Sequence, residues 1–348
     1  MLADTAWLRQ QLRIALAVVP LALGACDDAG AQPAPPRFPP CPSGDFCSTA
    51  DKVKSLAKDK TTSLGCPTEL SEHVSEDKDI PRFSGAHLDE AATKKARKSE
   101  KATDCCYHWY QLCPGGRPLL DDGNAVVATA RGGDSWGGAR ALDVAPALRD
   151  ALGAGWRADA LAEHASIASF ARATLELMAL GAPPDLIAET QRASLDEIEH
   201  ARAAFALAAR YGQPIEPGAL PLVAPRDADP VRLARDVFLE GCVGETIAAL
   251  CATRAAAGCA DPELAATLRR IADDEARHAA LAWKTLAWTG RAADVVDLVA
   301  ALRETDVPEA DPLADALAAH GRLDTRALAI ARRDALRDII EPMLASLV

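Results

Sequence analysis

From about residue 153 to the end of the chain, apolar residues recur every three to four positions, the period of helices that bury one face. The pattern predicts a helix from near Trp156 to Leu180 and a second running to about Tyr211. A third covers Val231–Ala257 and a fourth 263–289, with more helix after 290 and a last one near 325–346. Each stops where proline and glycine cannot continue it, at "GAPPD" (181–185) and "GCADP" (258–262). Residues 212–230 carry five prolines and no helical period. At about 3.3 Å per residue this stretch is long enough to run the length of a helical bundle. The pattern therefore describes a mostly α protein: a four-helix bundle over 153–290 with one long crossover, followed by C-terminal helices over 291–348 that pack on it.

The first 152 residues read differently. Arg9 and Arg13 precede an apolar run from Ile14 to Leu23, too short to span a bilayer as a stable helix, so it reads as a signal peptide. Its ending, Leu23-Gly24-Ala25-Cys26, resembles a bacterial lipobox. That resemblance implies a lipoprotein signal peptide over 1–25, lipid on Cys26 and a membrane-anchored protein outside the cytoplasm, in the periplasm or at the outer membrane. Ordinary secretion and an uncleaved anchor are the alternatives. Residues 26–40 are too proline-dense for helix or sheet and form a semi-rigid tether. Residues 41–120 hold Cys41, Cys47, Cys66, Cys105, Cys106 and Cys113, the density of a small disulfide-stapled module whose pairing sequence cannot decide. No two CxxC pairs exist, which excludes a zinc ribbon or rubredoxin site. "KKARKSEK" within it is nearly balanced by acidic neighbours and reads as a solvated helix face. The module is also where an unidentified protein partner would bind. Residues 121–152 look like a linker. A net charge of −12 argues against nucleic acid as a partner.

The candidate chemistry lies on the apolar stripes of the predicted helices. "SLDEIEHARAAF" places Glu197 and His200 one turn apart on one face, and "DDEARHAALAW" repeats this with Glu275 and His278. One Glu-x-x-His carries little weight in a chain this rich in glutamate. The first and third helices add a glutamate each: Glu163 among Trp156, Ala160, Ile167, Phe170 and Leu177, and Glu245 among Phe238, Cys242 and Ala249. An unpaired buried carboxylate costs several kcal/mol, so four of them facing one core require a positive partner. The register is more telling. The midpoint between Glu163 and the Glu197–His200 pair falls at about 181. The midpoint between Glu245 and the Glu275–His278 pair falls at about 260. Both lie in the helix breaks, so each hairpin folds its ligands to one height, about 25 Å from its turn. A Glu from each of two helices with Glu-x-x-His from each of the other two is the ligand set of dimetal carboxylate bundles.

With "DEIEH" and "DDEARH", residues 153–290 resemble a ferritin-like diiron-carboxylate domain, of the group that includes rubrerythrin and bacterioferritin. The resemblance implies that Asp196 and Asp274 support the ligand histidines. Cys242, one turn before Glu245, stands where some members carry another carboxylate. Glu199 and His164 point about 100° away from their neighbouring ligands and read as surface residues. Gly241 and Gly244 read either as space beside the metals or as close helix packing. Trp283 and Trp288 read as core, and His320 has no assigned role.

Carboxylate and imidazole ligands suit iron or manganese. The expected cofactor is two Fe ions, with Mn or mixed Fe/Mn as the alternative. The expected function is an exported, membrane-anchored oxidoreductase activating O2 or peroxide. A ferroxidase or iron-handling module and a non-enzymatic envelope lipoprotein with a structural metal are the competing readings.

Overall fold

In the computed structural model the residues described are 2–16, 43–57, 62, 64–67, 69–70, 80, 85–88, 90–97, 104–110, 116–121, 124–221, 227–303 and 307–348. The chain divides into two compact units, residues 39–113 and residues 1–38 with 114–348.

The smaller unit is built on four short strands, β1 (Ser43–Thr49), β2 (Glu69–Leu70), β3 (Gly85–Leu88) and β4 (Asp104–Tyr110), with helices α2 (Ala50–Lys54) and α3 (Glu90–Ala96). They form one antiparallel sheet in the order β1-β4-β3-β2. Val53, Cys66, Leu70, Ile80, Cys105 and Tyr107 make its core. Successive strand residues face opposite sides. The neighbours Cys105 and Cys106 therefore take different partners: Cys106 bonds Cys47 directly across the β1–β4 ladder, and Cys105 bonds Cys66. So small a core needs such staples. Lys94 and Lys95 on α3 are exposed. Cys26, Cys41 and Cys113 lie outside the described residues.

The larger unit is mostly helical. It opens with a helix, α1 (Leu2–Leu16), which packs on residues 262–289, 336–340 and 246–258. Thr5, Leu8 and Leu12 lie on its buried side, and Asp4 pairs with Arg254 at 3.1 Å. Residues 2–16 are thus an amphipathic helix, which the run of Ile14–Leu23 had hidden. No helix among the described residues is long and apolar enough to cross a membrane.

Two short pairings follow, β5 (Leu120–Asp121) with β6 (Asn124–Ala125) and β7 (Ala130–Gly132) with β8 (Ile215–Pro217). Through them much of the stretch read as linker is built onto the helical unit. Helix α4 (Pro146–Ala179) starts earlier than its strongest periodicity, because Leu148 and Leu152 extend the buried stripe of Trp156 and Ala160 with proline at the first turn. It turns back at Gly181, whose φ of 72° favours glycine, into α5 (Pro184–Tyr211), and the two pack along each other. Helix α6 (Pro230–Asp236) is capped by Asp229 and runs through a nine-residue π-helical segment, Val237–Glu245, into α7 (Thr246–Gly258). The Asp261 carboxylate then accepts from Glu263 N and Leu264 N to start α8 (Pro262–Thr289), which packs on α7 and on the π-helical segment. Helices α5 and α8 also meet.

After α8 come α9 (Val296–Leu302), α10 (Ala314–Ala319), α11 (Thr325–Ala335) and α12 (Glu341–Ala345). Leu336, Ile339, Ile340 and Met343 join Trp283, Leu286, Leu8 and Leu12 in the main core.

Mass mapping of unreduced protein should recover Cys47–Cys106 and Cys66–Cys105 as linked peptides. Replacing Cys66 and Cys105 by serine should cost the smaller unit about 3–4 kcal/mol, the chain-entropy value for a loop of 39 residues. A Cys47–Cys66 link would contradict the sheet register.

Candidate metal centre

Four helices deliver the candidate ligand side chains. Glu163 comes from α4, Glu197 and His200 from α5, Glu245 from the end of the π-helical segment, and Glu275 and His278 from α8. Their ligand atoms form two overlapping quartets, Glu163/Glu197/His200/Glu275 and Glu197/Glu245/Glu275/His278, each with atoms within 4.8 Å of one another. Glu197 and Glu275 belong to both. Glu163 retains 8% exposure, and the other five residues at most 2%.

The cluster is short of hydrogen bonds. Both oxygens of Glu197, Glu245 and Glu275, one of Glu163, and Nδ1 of His200 and His278 are buried without a hydrogen-bond partner. His278 Nδ1 lies 3.0 Å from Glu197 Oε1, and His200 Nδ1 lies 3.4 Å from Glu275 Oε1. Native proteins rarely leave so many buried polar atoms unsatisfied in one place. Oxygen and imidazole donors in two quartets with shared carboxylates fit a pair of divalent cations. The four carboxylates would balance two such ions when the imidazoles are neutral.

The outer ring nitrogens are spoken for. His200 Nε2 sits 3.1 Å from Asp274 Oδ2, and His278 Nε2 sits 3.2 Å from Asp196 Oδ2. An ionised carboxylate only accepts, so each Nε2 carries the proton and donates it outward. When the imidazole is neutral, the Nδ1 lone pair faces the cluster. Arg277 contacts both aspartates, at 3.4 Å from Asp196 Oδ2 and closer to Asp274. The bond from His278 holds Asp196 below the usual carboxylate range. For Asp274 burial works upward, and the bonds from His200 and Arg277 outweigh it.

The protonation states show how the cluster copes without an ion. Burial and the Glu275 charge push Glu163 up to about 7. Burial, with the charges of Glu163 and Glu275, raises Glu197, and burial with Glu275 raises Glu245. Glu275 moves the other way, because the neighbouring Glu245, His200 and His278 outweigh burial. Burial alone would lower the histidines. The bond to Asp274 and the nearby Glu275 carboxylate instead bring His200 to about 11, and the bond to Asp196 and the same carboxylate bring His278 to about 10. Protons thus stand where cations would.

Other expected residues fall elsewhere. Cys242 is fully buried in the apolar core, its thiol raised by burial, and belongs to neither quartet. Glu199 is exposed and pairs with Arg202 at 2.8 Å. His164 is half-buried, edge-on to Trp136 with ring centroids 5.0 Å apart. Trp283 and Trp288 are core, and His320 Nδ1 lies 3.0 Å from Tyr211 Oη. Gly241 and Gly244 serve close packing. A Cβ on Gly241 would collide with that of Ala282, and one on Gly244 would lie 2.8 Å from the Gly116 carbonyl oxygen.

Beside the quartets is a second polar group that periodicity missed. Glu240 is fully buried between Arg172 and Arg117, the latter 3.6 Å away, with Ser169 Oγ donating to it at 2.8 Å. Residues five apart in an α-helix diverge by about 140°. The wider π turn buries Glu240 and Glu245 together. A charge inside the apolar "VFLEGCVGE" was its one signal.

No protein family matches the chain, and no curated protein or solved structure is detectably similar to it.

The protonation states have a measurable consequence. Without metal, the native state binds more protons than the unfolded chain over a wide range. The contribution of Glu163 is present below its unfolded value of 4.5 and lost as pH rises to about 7. Those of His278 and His200 are present below 6.5 and lost as pH rises through about 10 and 11. The thermal midpoint of metal-free protein should therefore fall from pH 6 to pH 9. Saturating divalent metal should stabilise more at pH 9 than at pH 6, because binding displaces these protons. A metal-free midpoint that climbs over that interval would contradict this arrangement.

Proposed function

We propose that the chain is a dimetal oxidoreductase, with two iron ions held in a ferritin-like four-helix bundle, acting on O2 or peroxide. The observation that carries this reading is the pair of overlapping carboxylate–imidazole quartets, buried and unsatisfied, on four helices. Glu197 and Glu275, common to both quartets, would be shared by the two ions, with Glu163 and His200 available to hold one and Glu245 and His278 the other. Two iron ions, when bound, would supply two-electron redox chemistry toward O2 or peroxide.

The remaining work falls to the chain. Asp274 and Asp196 hold the imidazoles in the tautomer and orientation that ligation needs, and Arg277 holds both aspartates. The apolar core around Phe170, Phe238 and Trp283 excludes water. The two disulfides fit an oxidising compartment outside the cytoplasm. With the lipobox-like Leu23–Cys26, they support an envelope lipoprotein anchored through Cys26, whose maturation would remove α1 and with it Leu8 and Leu12 from the core.

Protein loaded with ferrous iron under anaerobic conditions should contain about two ions per chain. The Glu197→Ala, Glu275→Ala double variant should contain none. His278→Ala should retain part of the iron and react more slowly. The loaded wild type should consume O2 or hydrogen peroxide as its iron is oxidised. Failure to bind iron would overturn the metal reading. Stable ferrous iron, indifferent to both oxidants, would leave a structural metal site. Repeated uptake and oxidation of iron without any reduced organic partner would make it an iron-handling protein.

A further inference from the structure

The two sides of the ligand cluster are walled in different ways. On the α5–α8 side the histidines are backed by Asp196, Asp274 and Arg277 on regular helix. On the side of α4 and the π-helical segment, the wall includes residues 116–120, irregular chain that ends in the first residue of β5.

This strap lies against one ligand and beside another, and each belongs to a single quartet. Gly116, with φ of 89°, is so near Glu163 that a Cβ there would lie 3.0 Å from its Oε2. Its carbonyl rests on Gly244, the residue before Glu245, where a Cβ would lie 2.8 Å from it. The strap is fastened by polar contacts. Ser166 Oγ donates to Arg117 O at 2.6 Å. Arg172 Nη1 donates to Leu120 O at 2.6 Å, and Leu120 N donates to Glu240 Oε1 at 3.2 Å. Arg117 Nε donates to Ser169 Oγ at 2.8 Å, and its guanidinium lies over the Phe170 ring at 4.8 Å. Glu240 is the hub. It alone gathers Leu120 N, Ser169, Arg172 and Arg117.

We propose that residues 116–120 are the removable wall of the metal centre, latched by the positioning residues Glu240, Arg172 and Arg117. Metal ions and small oxidants enter and leave beneath them. Opening the α5–α8 side would break helix and the aspartate–histidine bonds together. Lifting the strap unwinds no helix: it breaks a few hydrogen bonds to side chains and the Val126 N–Leu119 O bond, draws Arg117, Leu119 and Leu120 out of the interior, and uncovers Glu163, already the most exposed ligand. This deepens the dimetal reading and rests on it.

Two measurements test it on the full chain. In the first, protein loaded with Co2+ is mixed with excess colorimetric chelator and the release rate recorded. Glu240→Gln should release metal about tenfold faster or more, since hydrogen bonds to a charged group are lost. Leu286→Ala, in the apolar core, serves as a control for general destabilisation. In the second, hydrogen–deuterium exchange is followed on metal-free protein. The 116–121 segment should exchange well before α4 and α8. Glu240→Gln should speed it further while 197–200 and 275–278 stay protected. A wild type that binds no metal refutes the dimetal reading, and the exchange result then judges the strap alone. Metal bound but released equally by Glu240→Gln and Leu286→Ala overturns the strap. So does a strap that exchanges as slowly as α4 in both wild type and variant.

Discussion

Like charges crowded where water cannot reach them are the constraint around which the larger unit is organised. Two unit charges 4 Å apart interact by about 4 kcal/mol at an effective dielectric constant of 20. Here three carboxylates and an imidazole bring their ligand atoms within 4.8 Å in each quartet. Either protons or cations must be present for the helices to close on them. The raised values of Glu163, Glu197, Glu245 and the two histidines correspond to the first solution, and the buried ligand atoms without hydrogen-bond partners are where the second would act. Hairpin lengths, aspartate partners and the close glycine contacts all hold that cluster in one place.

The same constraint explains what sequence could reveal. A glutamate on an apolar stripe is conspicuous because it is costly, so Glu163, Glu245 and the two Glu-x-x-His pairs were legible, and the breaks at 181 and 260 placed them at one height. The π-helical turn was not, because a reading with a period of 3.6 rotates Glu240 out of the core. Arg117 was hidden for a different reason. "CPGGRPLL" has the glycine and proline of a linker, and a strap pressed against helices needs the same residues for close approach. Helix α1 was masked by the apolar run after it, although Leu8 and Leu12 share one face. The sheet of the smaller unit was obscured because its strands are short and cysteines occupy positions where alternating apolar residues would have marked them.

The larger unit thus has a stiff side and a soft side. Regular helix, ion pairs and imidazole–carboxylate bonds make up the first. The second depends on one buried glutamate and two arginines holding irregular chain. Such division is common where a reactive group must be both rigidly held and reachable, and low local stability is then drawn to the element that moves.

The aspartate–histidine bonds are reciprocal. Asp274 of the second hairpin holds His200 of the first, and Asp196 of the first holds His278 of the second. Residue i touches j while j touches i, the signature of an isologous dimer, here written within one polypeptide. Neither hairpin can orient its own imidazole, so half a domain has no half-site.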